Sequence, residues 1–321
     1  MPVKPEDIRK AAVIGAGTMG PGLALVFAMG GYRTALCDIR EEALLTAMSV
    51  ARSTLSLFAE KGLADPGGIE TVLGRIEPCV SLEEAAGDAD LVIEAVTEDR
   101  EAKRALYEQL DRICPERAVI ASNTSYLNIF ELMPRRRLPR TVIAHWFAPP
   151  HIVPLVEVVR GEETARETVD LVMELLKKLD RVPVLLEKFI DGFCVNRLQR
   201  ILGREIFFLL DNGYITPEML DIAVKASIVP RSLVLGFVQR YDFTGLDLSW
   251  KNLQNPHYTE PPVDNAPRSL KERVERGELG VKTGKGFFDY SGRRLEDVLR
   301  ERDEKLLEAF ALAKKFIYDR I

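Results

Sequence analysis

The stretch from Lys10 to Asp38 constrains the fold of this chain more than any other. It reads KAAVIGAGTMGPGLALVFAMGGYRTALCD. An apolar run, Ala11 to Ile14, meets Gly15-x-Gly17-x-x-Gly20, and an amphipathic segment from Leu23 to Met29 follows. Gly30 and Gly31 break that segment before a second apolar run, Thr34 to Cys37, which ends in Asp38. The order is strand, glycine turn, helix, strand, acid.

Each part has a physical reason. Gly15 permits a tight turn that a Cβ would obstruct, Gly17 lets backbone approach a pyrophosphate, and Gly20 lets the helix pack closely on the strand. The helix N-terminus presents unpaired N–H groups and a partial positive charge to the phosphates. Thr18 and Met19 lie in the same turn and count with the glycines as cofactor-binding positions. Asp38 falls eighteen residues after Gly20. There a carboxylate accepts hydrogen bonds from ribose hydroxyls and repels a 2′-phosphate, which favours NAD over NADP. A bare glycine turn is common, but both strands, the helix and the acid in register specify a nucleotide site.

At 321 residues the chain is too long for one ordinary core, so two domains are expected. The net charge of −5, with no like-charge block longer than Arg135-Arg136-Arg137, argues against nucleic acid or an anionic membrane as main partner. No apolar run reaches bilayer length, and the polar start from Met1 to Lys10 does not read as a signal peptide. Cys37, Cys79, Cys114 and Cys194 lack C-x-x-C spacing and read as buried or incidental thiols of a reducing cytoplasm. With three histidines, a His-rich metal site is not expected.

Beyond Asp38, helical periodicity over Glu41 to Lys61, a turn at 62–68 and a short helix at Ile69 to Leu73 predict a helical hairpin inserted at about 41–75. Most of it reads as packing, although Lys61 at its tip is able to reach an anionic part of a substrate. Ile76 to Val80, Leu91 to Val96, Ala118 to Ala121, Thr141 to Ala144, Leu155 to Val159 and Val182 to Leu186 read as strands. Glu94 interrupts one of these otherwise apolar runs, and Glu157 another. A buried carboxylate is costly unless paired. For Glu157 the nearest upstream candidate is His145, at the end of the preceding strand. Ser122-Asn123-Thr124-Ser125 closes another strand, and suits either an ordinary turn or the lining of a nicotinamide pocket.

After residue 187 no strand period remains. Asp191 to Asn212 carries a wide apolar stripe, Phe193, Val195, Leu198, Ile201 and Leu202 onward, expected of a core helix. Pro217 to Lys225, Val234 to Phe243, Asn265 to Arg276 and Leu295 to Ile317 read as further helices. The expected architecture is therefore α/β: a Rossmann-type nucleotide domain over 1–187, followed by an all-α domain over 188–321. Gly280-x-Lys282-Thr283-Gly284-Lys285-Gly286 imitates a phosphate loop but lacks the preceding strand and the required spacing, so nucleotide hydrolysis is rejected.

Taken together, these motifs resemble the 3-hydroxyacyl-CoA dehydrogenase family from about Lys10 to Tyr290. The resemblance rests on GAGTMG with Asp38, the strand ending Glu94-Ala95-Val96-Thr97-Glu98, Ser122 to Ser125, His145-Trp146-Phe147-Ala148-Pro149, Leu155 to Val159, Gly192 to Arg197, and Lys282 to Phe287. It implies NAD-dependent oxidation of an L-3-hydroxyacyl-CoA in fatty acid metabolism, and a homodimer joined through the helical domain. It also implies His145 as catalytic base, Glu157 as its orienting partner, Ser125 and Asn196 as groups holding the reacting oxygen, and Glu98, Lys103 and Asn123 near the cofactor. Two positions depart from the family pattern: Ala148, where asparagine is usual, and Asp191, where proline is. The strings around them are closer to offshoots that oxidise free hydroxy acids or alcohols, such as L-gulonate in the λ-crystallin branch or a pyridine compound from vitamin B6 breakdown. The alternative is thus the same hydride chemistry without CoA. A third reading is a binding protein of crystallin type that kept the nucleotide fold and lost catalysis.

Overall fold

The computed structural model describes residues 4–257 and 259–319. Met1 to Val3 of the polar start therefore lie outside the described residues, as do Tyr258, Arg320 and Ile321. The chain divides into two compact units, Met1–Arg197 and Leu198–Ile321. Among the described residues, no helix is long and apolar enough to cross a membrane.

The first unit is built on one eight-stranded sheet of order β3-β2-β1-β4-β5-β6-β7-β8. The strands are β1 (Lys10–Ile14), β2 (Arg33–Cys37), β3 (Ile76–Cys79), β4 (Leu91–Glu94), β5 (Val119–Ser122), β6 (Thr141–Trp146), β7 (Leu155–Arg160) and β8 (Val182–Leu186). Neighbours from β3 through to β6 are parallel. Then β7 runs antiparallel to β6, and β8 is parallel to β7. The order reverses direction at β1, between β2 and β4, which is where open α/β sheets bind nucleotides.

Alternate residues of each strand feed two cores. On one face Ala11, Val13, Leu36 and Ile93 pack under α1 (Gly20–Met29), α2 (Glu41–Glu60) and α6 (Arg166–Lys178). On the other, Ala12, Ile14, Val92 and Ile120 meet α4 (Leu82–Ala86) and α5 (Arg100–Ile113). α3 (Ile69–Leu73) completes the hairpin behind α2. One expectation needs correcting. α1 is not amphipathic: every residue from Gly20 to Ala28 is buried. The segment is apolar all round because it is enclosed on all sides, with Phe27 packed against both Tyr32 and Trp146.

The second unit continues α7 (Val195–Asp211) into α8 (Pro217–Ala223), α9 (Val229–Thr244), α10 (Leu246–Leu253), α11 (Arg268–Glu275) and α12 (Leu295–Ala313). α9 is longer than its periodicity suggests and breaks at Gly236, whose φ of 66° no helix contains. α10 is absent from the sequence reading although Leu246, Trp250 and Leu253 keep a helical interval, because the segment is only two turns long and Gly245 and Pro256 flank it closely. The stripe on α7 is also not interior as expected: Leu198, Ile201 and Leu202 are all exposed.

Candidate active site

The β1–α1 turn is shaped by its glycines. Gly15 has φ 108°, and a Cβ there would run into the Ala95 carbonyl at the end of β4. A Cβ on Gly20 would meet the Gly15 carbonyl. Gly17 is different: nothing lies within 4 Å of where its Cβ would stand, so that space is open to a ligand. Met19 precedes α1, and no side chain caps the helix's first turn. Thr18 is exposed beside it. Asp38 leaves β2 with Oδ2 accepting from Ala16 N at 2.9 Å, and Oδ1 accepting from Arg40 N at 3.0 Å. The acid is thus tied to the turn, with its carboxylate at the edge where a ribose would lie. These features suit a dinucleotide: an open cradle, an uncapped helix start and a tethered acid.

Across the sheet, antiparallel pairing of β6 with β7 sets His145 directly opposite Glu157. Their side chains meet at 2.8 Å, Nδ1 to Oε2, and both residues are buried. Glu157 spends its other oxygen on the start of α7: Oε1 accepts from Cys194 N at 3.0 Å and Val195 N at 2.8 Å. That approach depends on a sharp turn in which Gly192 and Phe193 both have positive φ, 75° and 53°. Phe193 tolerates this region because its ring is fully buried, 5.2 Å from the His145 ring. Phe147 packs on the imidazole at 4.6 Å. The histidine is therefore fixed by one carboxylate and two aromatic rings, and Nε2 is the nitrogen left for chemistry.

The loop after β5 brings in the remaining polar groups. Asn196 Nδ2 donates to the Ser125 carbonyl at 3.2 Å, joining the first turn of α7 to this loop. Asn123 Oδ1 accepts from Trp146 N at 2.8 Å, pinning the end of β5 to the residue after His145. Glu98 gathers the loop from below: Oε1 accepts from Thr124 Oγ1 at 2.5 Å, Ser125 N at 2.8 Å and Tyr126 N at 3.1 Å. Burial opposes the charge on Glu98, but the Thr124 hydroxyl, the Lys103 ammonium and the loop amides outweigh it and hold its carboxyl below the usual range.

Lys103 sits fully buried, with its ammonium 2.6 Å from Glu94 Oε1 and 3.3 Å from Glu98 Oε2. The second oxygen of Glu94 accepts from Tyr107 at 2.6 Å and Ser122 at 2.5 Å. Burial first, then the Glu94 charge, pushes the Tyr107 phenol well above its ordinary range, so it stays a neutral donor. Sequence reasoning missed Tyr107 and the pairing of Glu94, and named Thr124 only as one of four small polar residues closing a strand. The available signal was Glu94 inside an apolar strand, and Lys103 and Tyr107 four apart on one face of α5. Lys61 lies apart from this group, exposed at the end of α2. Burial pushes the Cys37 thiol to about 12 and that of Cys114 to about 11, so both are inert thiols.

The geometry is matched by kinship. Residues 10–189 match the family described as 3-hydroxyacyl-CoA dehydrogenase, NAD binding domain, and residues 192–290 its C-terminal domain. A 5-formyl-3-hydroxy-2-methylpyridine 4-carboxylate 5-dehydrogenase of Mesorhizobium japonicum is 33% identical over 94% of this chain and 96% of its own. A probable 3-hydroxybutyryl-CoA dehydrogenase of Bacillus subtilis is 34% identical over 88% of this chain and 98% of its own. Among solved structures, a 5-formyl-3-hydroxy-2-methylpyridine 4-carboxylic acid 5-dehydrogenase, described as an NAD+ dependent dismutase, superposes with a TM-score of 0.86 at 31% identity, covering 96% of this chain and 99% of that one.

Proposed function

The chain belongs to the 3-hydroxyacyl-CoA dehydrogenase family, a family of NAD-dependent oxidoreductases, and from that premise we propose that it oxidises a carbon-bound hydroxyl with His145 as general base. The observation that carries this is the His145–Glu157 contact at 2.8 Å. With Glu157 ionised, Nδ1 keeps its proton and donates it, which leaves Nε2 as the acceptor for the substrate hydroxyl proton. The imidazolium formed is stabilised by the same carboxylate, whose second oxygen is already satisfied by two backbone amides. Phe147 and Phe193 exclude water from the ring faces.

NAD would be held by the turn from Gly15 to Gly20, with Thr18 and Met19, and by Asp38 at its ribose. It supplies the hydride acceptor at the substrate carbon. Ser125 and Asn196 are the polar groups that would steady the reacting oxygen. Their mutual hydrogen bond, and the hold of Glu98 on the loop, keep that arrangement set before substrate arrives. Glu98, Lys103 and Asn123 act here by shaping the loop beside the cofactor, and Lys61 is assigned to an anionic substituent of the substrate.

For the substrate, a small carboxylate without CoA is the better reading. The pyridine-carboxylate enzymes share nearly the whole length of this chain, whereas the Bacillus hydroxybutyryl-CoA enzyme leaves more of it unmatched. Ala148 also departs from the acyl-CoA pattern. The second reading, an L-3-hydroxyacyl-CoA, is favoured by the family match over both parts of the chain. The chain acts as a homodimer through its helical unit and works in the cytoplasm. The deciding experiment follows NADH at fixed enzyme with 3-hydroxybutyryl-CoA, free 3-hydroxybutyrate, L-gulonate and a formyl- or hydroxymethyl-pyridine carboxylate. Turnover of a free acid without turnover of the thioester supports the first reading, and the reverse supports the second. No turnover of any alcohol or aldehyde, with NADH still bound, would leave only a binding protein.

A further inference from the structure

Glu94, Lys103, Tyr107 and Ser122 have no exposed surface, so none of them touches substrate or cofactor. All four meet at one carboxylate. Glu94 Oε1 accepts from Val96 N at 2.9 Å and from the Lys103 ammonium at 2.6 Å. Its Oε2 accepts from the Tyr107 hydroxyl at 2.6 Å and from the Ser122 hydroxyl at 2.5 Å. Each hydroxyl has a single hydrogen and directs it at that oxygen, so the Ser122 oxygen keeps its lone pairs for Thr124 N, 3.2 Å away. Replacing a buried polar cluster by apolar side chains is often neutral or stabilising, so stability alone does not account for one.

What distinguishes this cluster is where it leads. On one side, the Ala95 peptide is held by Ile14 O, 2.8 Å from Ala95 N, and by the Glu94 side chain through Val96 N. The Ala95 carbonyl is the surface against which Gly15 of the β1–α1 turn rests, closely enough to exclude a Cβ there. On the other side, Ser122 fixes Thr124 N, and Thr124 Oγ1 accepts from Leu127 N at 3.0 Å. Ser125 lies between these anchors, with its amide tied to Glu98 and its carbonyl to Asn196. One shared carboxylate thus backs both the glycine turn and the Ser125 loop.

We propose that Tyr107 is a positioning residue for hydride transfer, acting through Glu94 and Ser122 on the peptide of Ser125. This rests on the role assigned to Ser125 above and goes further, because it places a determinant of the rate in the interior beneath the site. Without the phenol, Glu94 Oε2 keeps one donor of two, and the direction in which Ser122 holds Thr124 is no longer fixed. Reaction geometry is sensitive to such changes, since a misplacement of about 1 Å costs up to about a hundredfold in rate.

Tyr107→Phe keeps the ring and removes only the hydroxyl, while Ser122→Ala cuts the same link at its other end. The full wild-type chain, both single variants and the double variant are compared with NADH bound. Hydrogen exchange is followed in peptides covering Ser122 to Leu127, with β1 as the internal reference. Turnover is measured with the acids, the thioester and the pyridine carboxylate named above, and is expressed per bound NADH. In Tyr107→Phe, exchange in the loop should be about tenfold faster with β1 unchanged, and kcat about tenfold lower with KM and NADH affinity within about twofold of wild type. The double variant should be no slower than Ser122→Ala alone, since both changes cut one link. Loop exchange as in wild type, equal acceleration in the loop and β1, a wild-type kcat per bound NADH, or losses that multiply in the double variant would each overturn the positioning role. A wild-type chain that turns over none of these substrates counts against the proposed function instead, and loop exchange alone then decides whether Tyr107 sets the Ser125 peptide.

Discussion

His145 and Glu157 occupy facing positions on two antiparallel strands, and each is committed to the other by a 2.8 Å contact. Pairing register sets the dyad, so it does not depend on a mobile loop. The strongest prediction concerns the proton rather than the shape. In Glu157→Gln the amide oxygen still accepts from Cys194 N and Val195 N, but the amide NH2 turns toward Nδ1. That reverses the imidazole tautomer and leaves Nε2 protonated, unable to accept from substrate. kcat should fall by about two to four orders of magnitude, with NADH affinity and melting temperature close to wild type. Stopped-flow turnover beside NADH fluorescence titration checks it. A fall in NADH affinity equal to the fall in kcat would assign Glu157 a purely structural role.

Lys103 tests the base of the Ser125 loop. Its ammonium is fully buried between Glu94 and Glu98. Lys103→Met leaves Glu94 charged in the interior, and breaking a buried pair from one side costs about 3–5 kcal/mol. The double variant Lys103→Met, Glu94→Gln removes the stranded charge and should recover much of that. Urea unfolding of the four species reads it as a double-mutant cycle.

Glu98 carries a pH signature. Its carboxyl lies below its ordinary value of 4.5 in the folded protein: burial acts against the charge, but Thr124, Lys103 and the loop amides prevail. A depressed carboxyl contributes stability that is whole above its ordinary value and is lost as pH falls through that value to the lower folded one. Glu98→Gln should therefore be less stable than wild type at neutral pH, with the gap narrowing below about pH 4.5. Melting temperatures from pH 3 to 7 check this, and a gap that stays constant would contradict it.

Much of this was legible in the chain and some was not, for reasons particular residues make plain. The glycine turn and Asp38 were readable because backbone space and charge leave few residue choices. Glu157 was readable as a costly acid needing a partner, and the partner lay one strand back. Lys103 is placed by resemblance near the cofactor, and what the sequence did not show is that its ammonium pairs with Glu94 and Glu98. That pairing closes over nine residues and a change of element, which no strand or helix period encodes. The enclosure of α1 was legible but read otherwise, since Gly20 to Met29 holds no polar side chain and an amphipathic helix needs a polar face. The α7 stripe read as interior because periodicity reports that a face will be covered, not by what.

The proposed role of Asp38 is to choose the nucleotide. Its Oδ2 is tied to Ala16 N at 2.9 Å, while Arg40 is exposed with Nε 3.7 Å from Oδ1. Removing the acid deletes the repulsion toward a 2′-phosphate and releases that guanidinium. Asp38→Ala should weaken NAD by about 10- to 100-fold, the usual range for losing charged hydrogen bonds, and raise the relative use of NADP. Steady-state kcat/KM with both cofactors measures it. A wild-type preference for NADP would undo the assignment outright.

The last prediction separates folding from cofactor binding within six residues of the turn. Gly17 has nothing within 4 Å of an added Cβ and no positive φ, so Gly17→Ala is compatible with the fold. Its methyl would occupy the space a pyrophosphate needs. Melting temperature without cofactor should stay within about 2 °C of wild type, equivalent to about 0.5–1 kcal/mol, and NADH affinity should fall at least about tenfold. Gly20→Ala should behave the opposite way. Its methyl meets the Gly15 carbonyl, which is backbone and cannot rotate aside. The cost is overpacking of about 1–3 kcal/mol, visible without any cofactor. If Gly17→Ala binds NADH as wild type does, the cradle does not hold the phosphates where the glycines suggest, and the cofactor would have to be sought elsewhere along the sheet edge.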